Sequence, residues 1–232
     1  SCGGAQVPPD QVQKIDDKIQ TARPGTGYGM TEACGIITSV AGDFFVDKPD
    51  SAGPAMPNFE VKCVNDEGEE VPKGELGELW VRGSSVIKGY INRAEATAES
   101  ITDGWLHTGD IARLDEHDFI YLVDRKKDMV LRGGENIYCV EIEDVLYAHP
   151  DVMDAAVIGI PHKVLGEEVG AVVQVTDGSS VTEEALQGHV RTQLAAFKVP
   201  IKIEIRNEPL PRNANGKILK TQLREEFLAN MA

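Results

Sequence analysis

The sequence predicts a mixed α+β fold in two successive parts, residues 1–124 and residues 125–232. Short apolar segments bounded by glycine and proline dominate the first part, which is typical of a β-rich unit. The second part alternates strand-like segments with stretches whose apolar residues recur at helical spacing. A basic cluster, Arg125 to Asp128, lies where the two patterns meet.

The strands of the first part are predicted from the turns that flank them. Phe59–Asn65 and Glu78–Gly83 enclose a run of glycine, proline and acidic residues. Apolar residues from Trp105 to Ile111 and from Phe119 to Val123 then enclose the turn residues 115–118. This arrangement predicts a β-hairpin.

The second part begins with a predicted helix at Val140–Ala148, whose apolar residues share one face and which Pro150 ends. A second amphipathic helix is predicted at Thr182–Ala196, with Thr182 as its N-cap. Three strands and a last helix complete the part: Met153–Ile160, Val169–Thr176, Ile201–Arg206 and Lys220–Asn230. About a hundred residues of this kind form a compact α+β domain.

Composition favours a globular enzyme. The 232 residues are 41% hydrophobic, enough for a sizeable core, and the formal net charge of -15 argues against a nucleic-acid partner, which requires clustered cations. No apolar run reaches the roughly eighteen residues of a transmembrane helix. Four cysteines without CxxC spacing indicate reduced thiols and a cytoplasmic location: Cys2, Cys34, Cys63 and Cys139.

Residues 25–32, GTGYGMTE, combine glycines with an aromatic ring, a hydroxyl and a carboxylate. Glycines let a backbone approach a ligand, and Tyr28 offers a face for stacking a base. Thr31 can donate to a phosphate, and Glu32 is a hard oxygen ligand suited to Mg²⁺. The same letters are also compatible with the end of a core strand.

Two further motifs carry charged groups. In Thr108-Gly109-Asp110 a carboxylate stands beside a glycine, where a ligand hydroxyl could approach, although an aspartate in an ordinary turn is the simpler interpretation. Lys217 follows a loop rich in Pro, Asn and Gly and precedes the last predicted helix, a position that suits a mobile cation. Its NGK context is equally a common hairpin signal.

Together with GELWVRGSSVIKGY at residues 77–90, these motifs resemble the adenylate-forming (ANL) superfamily, and within it the acyl-CoA synthetases and fatty-acid–CoA ligases. The resemblance covers nearly the whole chain. It implies that residues 1–124 are the C-terminal part of a large AMP-binding domain, including its β-rich subdomain. Residues 125–232 would then be a complete mobile C-terminal domain.

The resemblance also implies a role for each motif residue. Asp110 would bind both ribose hydroxyls, Arg125 would contact the ribose, and Tyr28 would pack on the adenine. The implied nucleotide-binding set is Gly3, Gly4, Ala5, Tyr28, Gly29, Thr31, Asp110 and Arg125; the magnesium ligand is Glu32, the hinge Lys127, the thiol tunnel Gly133 and Gly134, and the catalytic residue Lys217.

The reaction implied by the resemblance joins a carboxylate to a thiol in two steps. ATP and the acid form acyl-AMP and pyrophosphate, and coenzyme A then displaces AMP. The implied cofactors and partners are ATP or AMP, Mg²⁺, coenzyme A and a small carboxylate. Because residues 33–37 are small or apolar, and residues 132–143 and 197–200 are similar to bacterial fatty-acyl-CoA synthetases, a long-chain fatty acid is the first expectation, followed by aryl and medium-chain acids.

The family's Ser/Thr/Gly-rich phosphate loop is absent from this sequence. We therefore expect the chain to represent the C-terminal portion of a larger enzyme and to be inactive in adenylate formation alone. Alternatives are an adenylation domain that loads a carrier protein, a luciferase-like enzyme, and a non-catalytic nucleotide- or CoA-binding fragment. Peripheral membrane attachment and homodimer formation stay open.

Overall fold

A computed structural model describes residues 9–18, 23–214 and 216–231. The chain divides into two compact units, residues 1–126 and 127–232, whereas the boundary predicted from the sequence falls two residues earlier. Both units combine helices with mainly antiparallel sheet, which confirms the mixed α+β class. Within the described ranges, no helix has the length and apolar character needed to cross a membrane.

Among its described residues, 9–18 and 23–126, the N-terminal unit is mainly β-structure, with three short helices and one turn of 3-10 helix at Thr31–Ala33. Its elements are α1 (Pro9–Lys18), β1 (Gly25–Met30), β2 (Gly35–Ala41), α2 (Asp43–Asp47), β3 (Gly53–Pro54), β4 (Phe59–Val64), β5 (Gly77–Gly83), α3 (Ala94–Ser100), β6 (Ile101–Thr102), β7 (Trp105–Leu114) and β8 (Phe119–Arg125).

These strands form two sheets. The strands β1 and β2 form an antiparallel pair, and a six-stranded sheet has the order β3-β8-β7-β5-β4 with β6 also paired to β7. The predicted strands at 59–65 and 78–83 and the hairpin β7–β8 are confirmed. Apolar residues from both sheets form one core, which includes Ile37, Leu79, Val81, Leu106 and Ile120.

The hairpin turn between β7 and β8 is organised by Asp115. Its Oδ1 accepts hydrogen bonds from the amides of His117 and Phe119, both 2.9 Å long, and its Oδ2 pairs with Lys48. Burial opposes ionisation of Asp115, but the hydrogen bonds from Lys48 and the two amides outweigh it and lower the pKa to about 2. A charged Asp115 therefore stabilises the hairpin at neutral pH.

The described part of the C-terminal unit, residues 127–214 and 216–231, contains five strands and three helices, with a 3-10 turn at Ala196–Lys198. Its elements are β9 (Val130–Arg132), β10 (Glu135–Ile137), α4 (Cys139–Tyr147), β11 (Val152–His162), β12 (Gly166–Val175), α5 (Glu183–Arg191), β13 (Lys202–Arg206) and α6 (Lys220–Met231). The sheet order is β10-β9-β12-β11, and β13 runs parallel to β12.

Alternating residues of β11 and β12 face two separate apolar clusters. Val157 and Ala171 belong to the cluster that α4 and α5 cover, whereas Ile158 and Val172 belong to the cluster that α6 covers. Because successive strand residues point to opposite faces, both faces of this sheet are buried within the unit. This explains the near-continuous apolar character of the two strands.

The predicted helix at Thr182–Ala196 is correct at its start and wrong at its end. The Thr182 hydroxyl accepts from the Ala185 amide at 3.3 Å, as expected of an N-cap. The helix ends at Arg191, and Ala195 is extended (φ −60°, ψ 148°). The extended Ala195 separates the helix from the 3-10 turn at Ala196–Lys198, whereas Pro200 restricts only Val199 and so does not account for the end at Arg191.

Three cysteines lie in the described part of the chain, and all are free thiols. Burial raises the pKa of Cys63 to about 12. Cys139 is fully buried and donates a hydrogen bond of 2.9 Å to the Asp128 carbonyl. Cys139 is thus a packed thiol.

Candidate nucleotide-binding site

Asp110 is the centre of the most organised polar cluster of the N-terminal unit. Tyr28 donates its phenolic hydrogen bond to Oδ2 over 2.5 Å, and Arg125 Nε pairs with Oδ1 over 2.7 Å. The Asp110 side chain is 8% exposed, whereas the Arg125 side chain is 41% exposed. The cluster therefore has a buried acceptor and a cation open to solvent.

Strand pairing brings these three residues together. Asp110 of β7 is the register partner of Arg125 at the end of β8. Tyr28 comes from β1, and its amide donates to the hydroxyl of the fully buried Thr38 over 3.1 Å. Thr38 in turn donates to the Ala52 carbonyl, so Tyr28 is held through both its backbone and its ring.

Electrostatics fix the roles of the two groups. Burial, followed by the negative charge of Asp110, raises the pKa of Tyr28 far above its ordinary value. Tyr28 is therefore a permanent hydrogen-bond donor. Each carboxylate oxygen carries two lone pairs, so Asp110 retains acceptor capacity beside Tyr28 and Arg125.

The segment Thr108-Gly109-Asp110 lies within strand β7, so the interpretation of Asp110 as a turn residue is wrong. Between Glu78 and Trp80 the β5–β7 register shifts, because β7 carries extra residues there. Gly109 has φ +70°, a left-handed conformation that glycine adopts readily. The bulge redirects Asp110 while the strand continues on both sides.

Two glycines of β1 allow this strand to lie close to the backbone of β2. A Cβ at Gly27 would lie 2.7 Å from the Thr38 carbonyl oxygen, and one at Gly29 would lie 2.0 Å from that of Gly35. A register shift separates Tyr28 from Gly29 in the β1–β2 pair. The glycines therefore permit a close approach to β2, and a ligand contact at Gly29 stays a prediction.

Thr31 and Glu32 begin the 3-10 turn that follows β1, and Thr31 is exposed. Tyr90 donates to Glu32 Oε1 over 2.9 Å. No group of three or more His, Cys, Asp and Glu residues that could hold a metal occurs among the described residues. A single carboxylate fits Mg²⁺ nevertheless, because this ion commonly takes one or two protein carboxylates together with phosphate and water oxygens.

The expected acyl-pocket residues divide between core and surface. Ala33 and Ile37 are buried in the core of the N-terminal unit, at 2% and 0% exposure. Cys34 is exposed in a left-handed conformation, and Ile36 is 62% exposed. Only Cys34, Gly35 and Ile36 present surface in this segment.

In the C-terminal unit, Gly133 and Gly134 form the two-residue turn of the β9–β10 hairpin. Their φ values are +59° and +92°, and Arg132 pairs with Glu135 across the turn. Two consecutive positive φ angles favour glycine strongly. A Cβ at Gly134 would meet nothing within 4 Å, so its surroundings are open.

Lys217 lies in a tight exposed hairpin immediately before α6. Arg212 and Ile218 pair across it, and Gly216 has φ +80°. The Asn213 amide donates to the Lys217 carbonyl at 2.9 Å, and Asn213 Oδ1 accepts from the Lys217 amide at 3.0 Å. Asn213 thus fixes the backbone from which the Lys217 side chain extends.

The structure brings Tyr28, Asp110 and Arg125 together, and it locates Lys127 as the first residue of the C-terminal unit. Gly3, Gly4 and Ala5 lie outside the described residues. Sequence reasoning missed Tyr90 and Glu78. Both lie in the GELWVRGSSVIKGY segment, where no local pattern distinguishes them. Their hydrogen-bond partners, Glu32 for Tyr90 and Gly109 and Lys126 for Glu78, are seen only in the folded chain.

Two family models match this sequence. One, described as AMP-binding enzyme, matches residues 1–91, and the other, described as AMP-binding enzyme C-terminal domain, matches residues 141–217. The two matches lie on either side of the boundary between the structural units.

Among curated proteins, feruloyl-CoA synthase of Amycolatopsis sp is 43% identical over 97% of this chain and 45% of its own length. Long-chain-fatty-acid–CoA ligase of Escherichia coli O6:H1 is 47% identical over 86% of this chain and 35% of its own length. The chain therefore spans less than half the length of these relatives.

Solved structures give the same picture. The o-succinylbenzoate CoA synthetase (MenE) of Bacillus subtilis, in complex with the acyl-adenylate intermediate OSB-AMP, is 36% identical with a TM-score of 0.85. The match covers 96% of this chain and 45% of that chain. The same enzyme in complex with ATP and magnesium ion matches with a TM-score of 0.84.

Proposed function

The chain belongs to the AMP-binding enzyme family, and from this premise we propose that it is the C-terminal part of an ATP-dependent acid–thiol ligase. The enzyme converts a carboxylate and ATP to acyl-AMP and pyrophosphate, and then transfers the acyl group to coenzyme A. The free thiols of Cys34, Cys63 and Cys139 support a cytoplasmic location for this reaction. Relatives named CoA synthase and CoA ligase, which match across nearly the whole chain, support this reaction over the carrier-loading and luciferase-like alternatives.

The buried Asp110 carboxylate, held by Tyr28 and Arg125, is the observation that carries the proposal. A carboxylate with remaining lone pairs is suited to accept hydrogen bonds from the vicinal hydroxyls of a ribose. Arg125 is part-exposed and always charged, so it adds a donor at the same point. Tyr28 orients the acid and offers its ring to the adenine.

In the first step a carboxylate oxygen of the acid attacks the α-phosphorus of ATP, and the bond to the bridging oxygen of pyrophosphate breaks. Lys217 supplies a positive charge to the phosphorus centre, where negative charge develops, and such preorganised charges are a major source of rate enhancement. Thr31 donates to phosphate, and Glu32 would hold Mg²⁺, whose charge stabilises the phosphate oxygens when the ion is bound.

In the second step the sulfur of coenzyme A attacks the acyl carbon, the thiol proton passes to solvent water, and AMP leaves with the oxygen that joined the acyl carbon to phosphorus. We assign the pivot between the steps to Lys127, at the unit boundary, because movement of the C-terminal unit would remove Lys217 and bring in the β9–β10 turn. Gly133 and Gly134 lack side chains and so admit a pantetheine arm close to the backbone.

For the acid we propose a long-chain fatty acid, which the exposed apolar Ile36 and the identity to the fatty-acid ligase support. An aryl acid is the second candidate, since a relative named feruloyl-CoA synthase matches 97% of the chain.

The test is to incubate the full-length ligase that carries this chain with ATP, Mg²⁺, coenzyme A and palmitate, octanoate or ferulate, and to measure AMP and acyl-CoA. We expect acyl-CoA with palmitate at the highest kcat/KM. Adenylate formation without transfer to coenzyme A would favour the carrier-loading or luciferase-like alternatives, and no carboxylate-dependent pyrophosphate release would overturn the ligase assignment. The 232-residue chain alone should release no pyrophosphate.

A further inference from the structure

Glu78 is a nearly buried carboxylate of β5 that the proposed reaction does not use. Its exposure is 8%, and its two oxygens have different partners. Oε1 accepts a hydrogen bond of 3.1 Å from the Gly109 amide, and Oε2 accepts one of 3.2 Å from Lys126 Nζ. A buried carboxylate is costly unless paired, so this arrangement constrains both partners.

The partner Gly109 belongs to the bulge in β7 that redirects Asp110. At such a bulge some backbone groups lose their ladder partners and require others. Glu78 satisfies the Gly109 amide, while the Thr108 hydroxyl accepts from the Asp110 amide at 3.1 Å and donates to the Leu79 carbonyl at 2.7 Å. The position of Asp110 therefore depends on Glu78 and Thr108.

The other partner, Lys126, is the last residue of the N-terminal unit. Its amide donates to the Gly109 carbonyl at 2.8 Å, and its Nζ also pairs with Asp66 at 3.0 Å. Burial opposes the charge on Lys126, but the contacts with Asp66 and Glu78 outweigh it and raise the pKa. Lys126 is therefore held at its backbone and at its side chain.

We propose that Glu78 is a positioning residue. It holds both Asp110, the proposed ribose-binding carboxylate, and Lys126, the residue before the proposed pivot, so that backbone rotation between the units begins at Lys127. This inference rests on the proposed function, because it gives Asp110 and Lys127 the roles assigned there. Glu78 links the two through Gly109 and Lys126. A purely structural carboxylate would stabilise the sheet without affecting nucleotide binding at Asp110 or the pivot at Lys127.

The first test uses the 232-residue chain and measures amide hydrogen exchange by NMR. In Glu78→Gln the side chain keeps an acceptor for Gly109 but loses the ion pair with Lys126. We expect the Gly109 amide to exchange about tenfold faster, because its acceptor is then uncharged and a hydrogen bond to a charged group contributes roughly a tenfold factor more. The Lys126 amide, which donates to the Gly109 carbonyl and loses the side-chain ion pair, should change by a similar factor. Amides of the C-terminal unit should be unchanged.

Glu60→Gln is the matched control, because Glu60 is a carboxylate of the neighbouring strand β4 that pairs with Arg82 on the surface. It should leave exchange at Lys126 and Gly109 within about twofold of the parent chain, as expected of an exposed pair. Unchanged exchange in Glu78→Gln, with the wild-type chain folded, would overturn the inference.

The second test uses the full-length ligase and separates position from stability. Glu78→Gln and Lys126→Met should each raise the KM for ATP about fivefold and slow thioester formation from supplied acyl adenylate, whereas Lys126→Arg should restore both. Equal activity of Lys126→Met and wild type would count against the coupling. A wild-type enzyme without any ligase activity would instead refute the proposed function and leave the exchange result unaffected.

Discussion

Tyr28 and Asp110 are 82 residues apart in the chain, and the phenol of the first donates to a carboxylate oxygen of the second over 2.5 Å. The bond joins the small β1–β2 sheet to the central strand of the six-stranded sheet. A glycine-rich strand and a bulged strand thereby form one polar site. Removing this one hydrogen bond therefore tests how far the polar site depends on the contact between the two sheets.

Tyr28→Phe removes the hydroxyl and retains the ring. Because a buried hydrogen bond to a charged acceptor contributes about 1.5–3 kcal/mol, we expect the free energy of unfolding of the chain to fall by about 2 kcal/mol. The KM for ATP of the full-length ligase should rise. Tyr121→Phe, which removes a longer 3.3 Å bond to Asp115, is the control and should leave that KM unchanged.

Acid should weaken the β7–β8 hairpin through Asp115. Its folded-state pKa is about 2, below the ordinary value of 3.8, so its stabilising contribution is complete above pH 3.8 and is lost as the pH falls toward 2. After allowance for solvent screening this contribution is about 1 kcal/mol. Urea unfolding of wild type and Asp115→Asn between pH 2 and 6 should give curves that converge at low pH. Parallel curves would contradict the assignment.

Lys217→Ala should slow adenylate formation by about two to three orders of magnitude, because it removes the charge that we propose acts at the phosphorus centre. Thioester formation from supplied acyl adenylate should change little. Stopped-flow measurement of the two half-reactions checks this, with Lys163→Ala as an exposed-lysine control in the same unit. Equal losses in both half-reactions would refute the catalytic role.

Lys127→Pro should have the opposite effect, impairing the thioester step and sparing adenylate formation. Proline fixes φ near −65° and restricts the preceding residue, which stiffens the unit boundary. Lys127→Ala keeps the backbone freedom and should behave as wild type. Normal thioester formation in the proline variant would rule out a pivot at this position.

Gly134→Ala tests the β9–β10 turn. The left-handed φ of +92° makes alanine cost about 1–2 kcal/mol, and the added methyl should also slow thioester formation. Gly178→Ala is a close match, since Gly178 has φ +79° and is likewise open. Both variants should lose similar stability in thermal unfolding. If both slow the thioester step equally, the turn has no special role.

Periodicity and turn chemistry predicted most of the secondary structure. The β7–β8 hairpin, the Thr182 N-cap and the helix before Pro150 follow from local preferences, which need no tertiary information. The end of α5 does not follow, because amphipathic spacing continues beyond Arg191 while the chain turns toward Pro200. A local pattern cannot report where packing ends a helix.

Prediction of the site from the sequence was also limited by long-range contacts, which local patterns do not report. Asp110 was identifiable as a candidate, but its place in a bulged strand depends on register shifts against β5, which are long-range. Glu78 in the GELW segment has no local mark of burial, since its partners Gly109 and Lys126 are distant in sequence. The close contact of the β1 glycines Gly27 and Gly29 with the neighbouring strand is likewise long-range and could not be predicted from the local motif.

The sheet of the C-terminal unit is covered by apolar clusters on both of its faces. A domain whose hydrophobic core is formed by its own residues can fold cooperatively as a unit. Such a unit supplies its own folding free energy to the chain that carries it. Because the apolar clusters of the two units stop at Leu122 and resume at Val130, a chain junction within residues 126–129 would leave both cores intact.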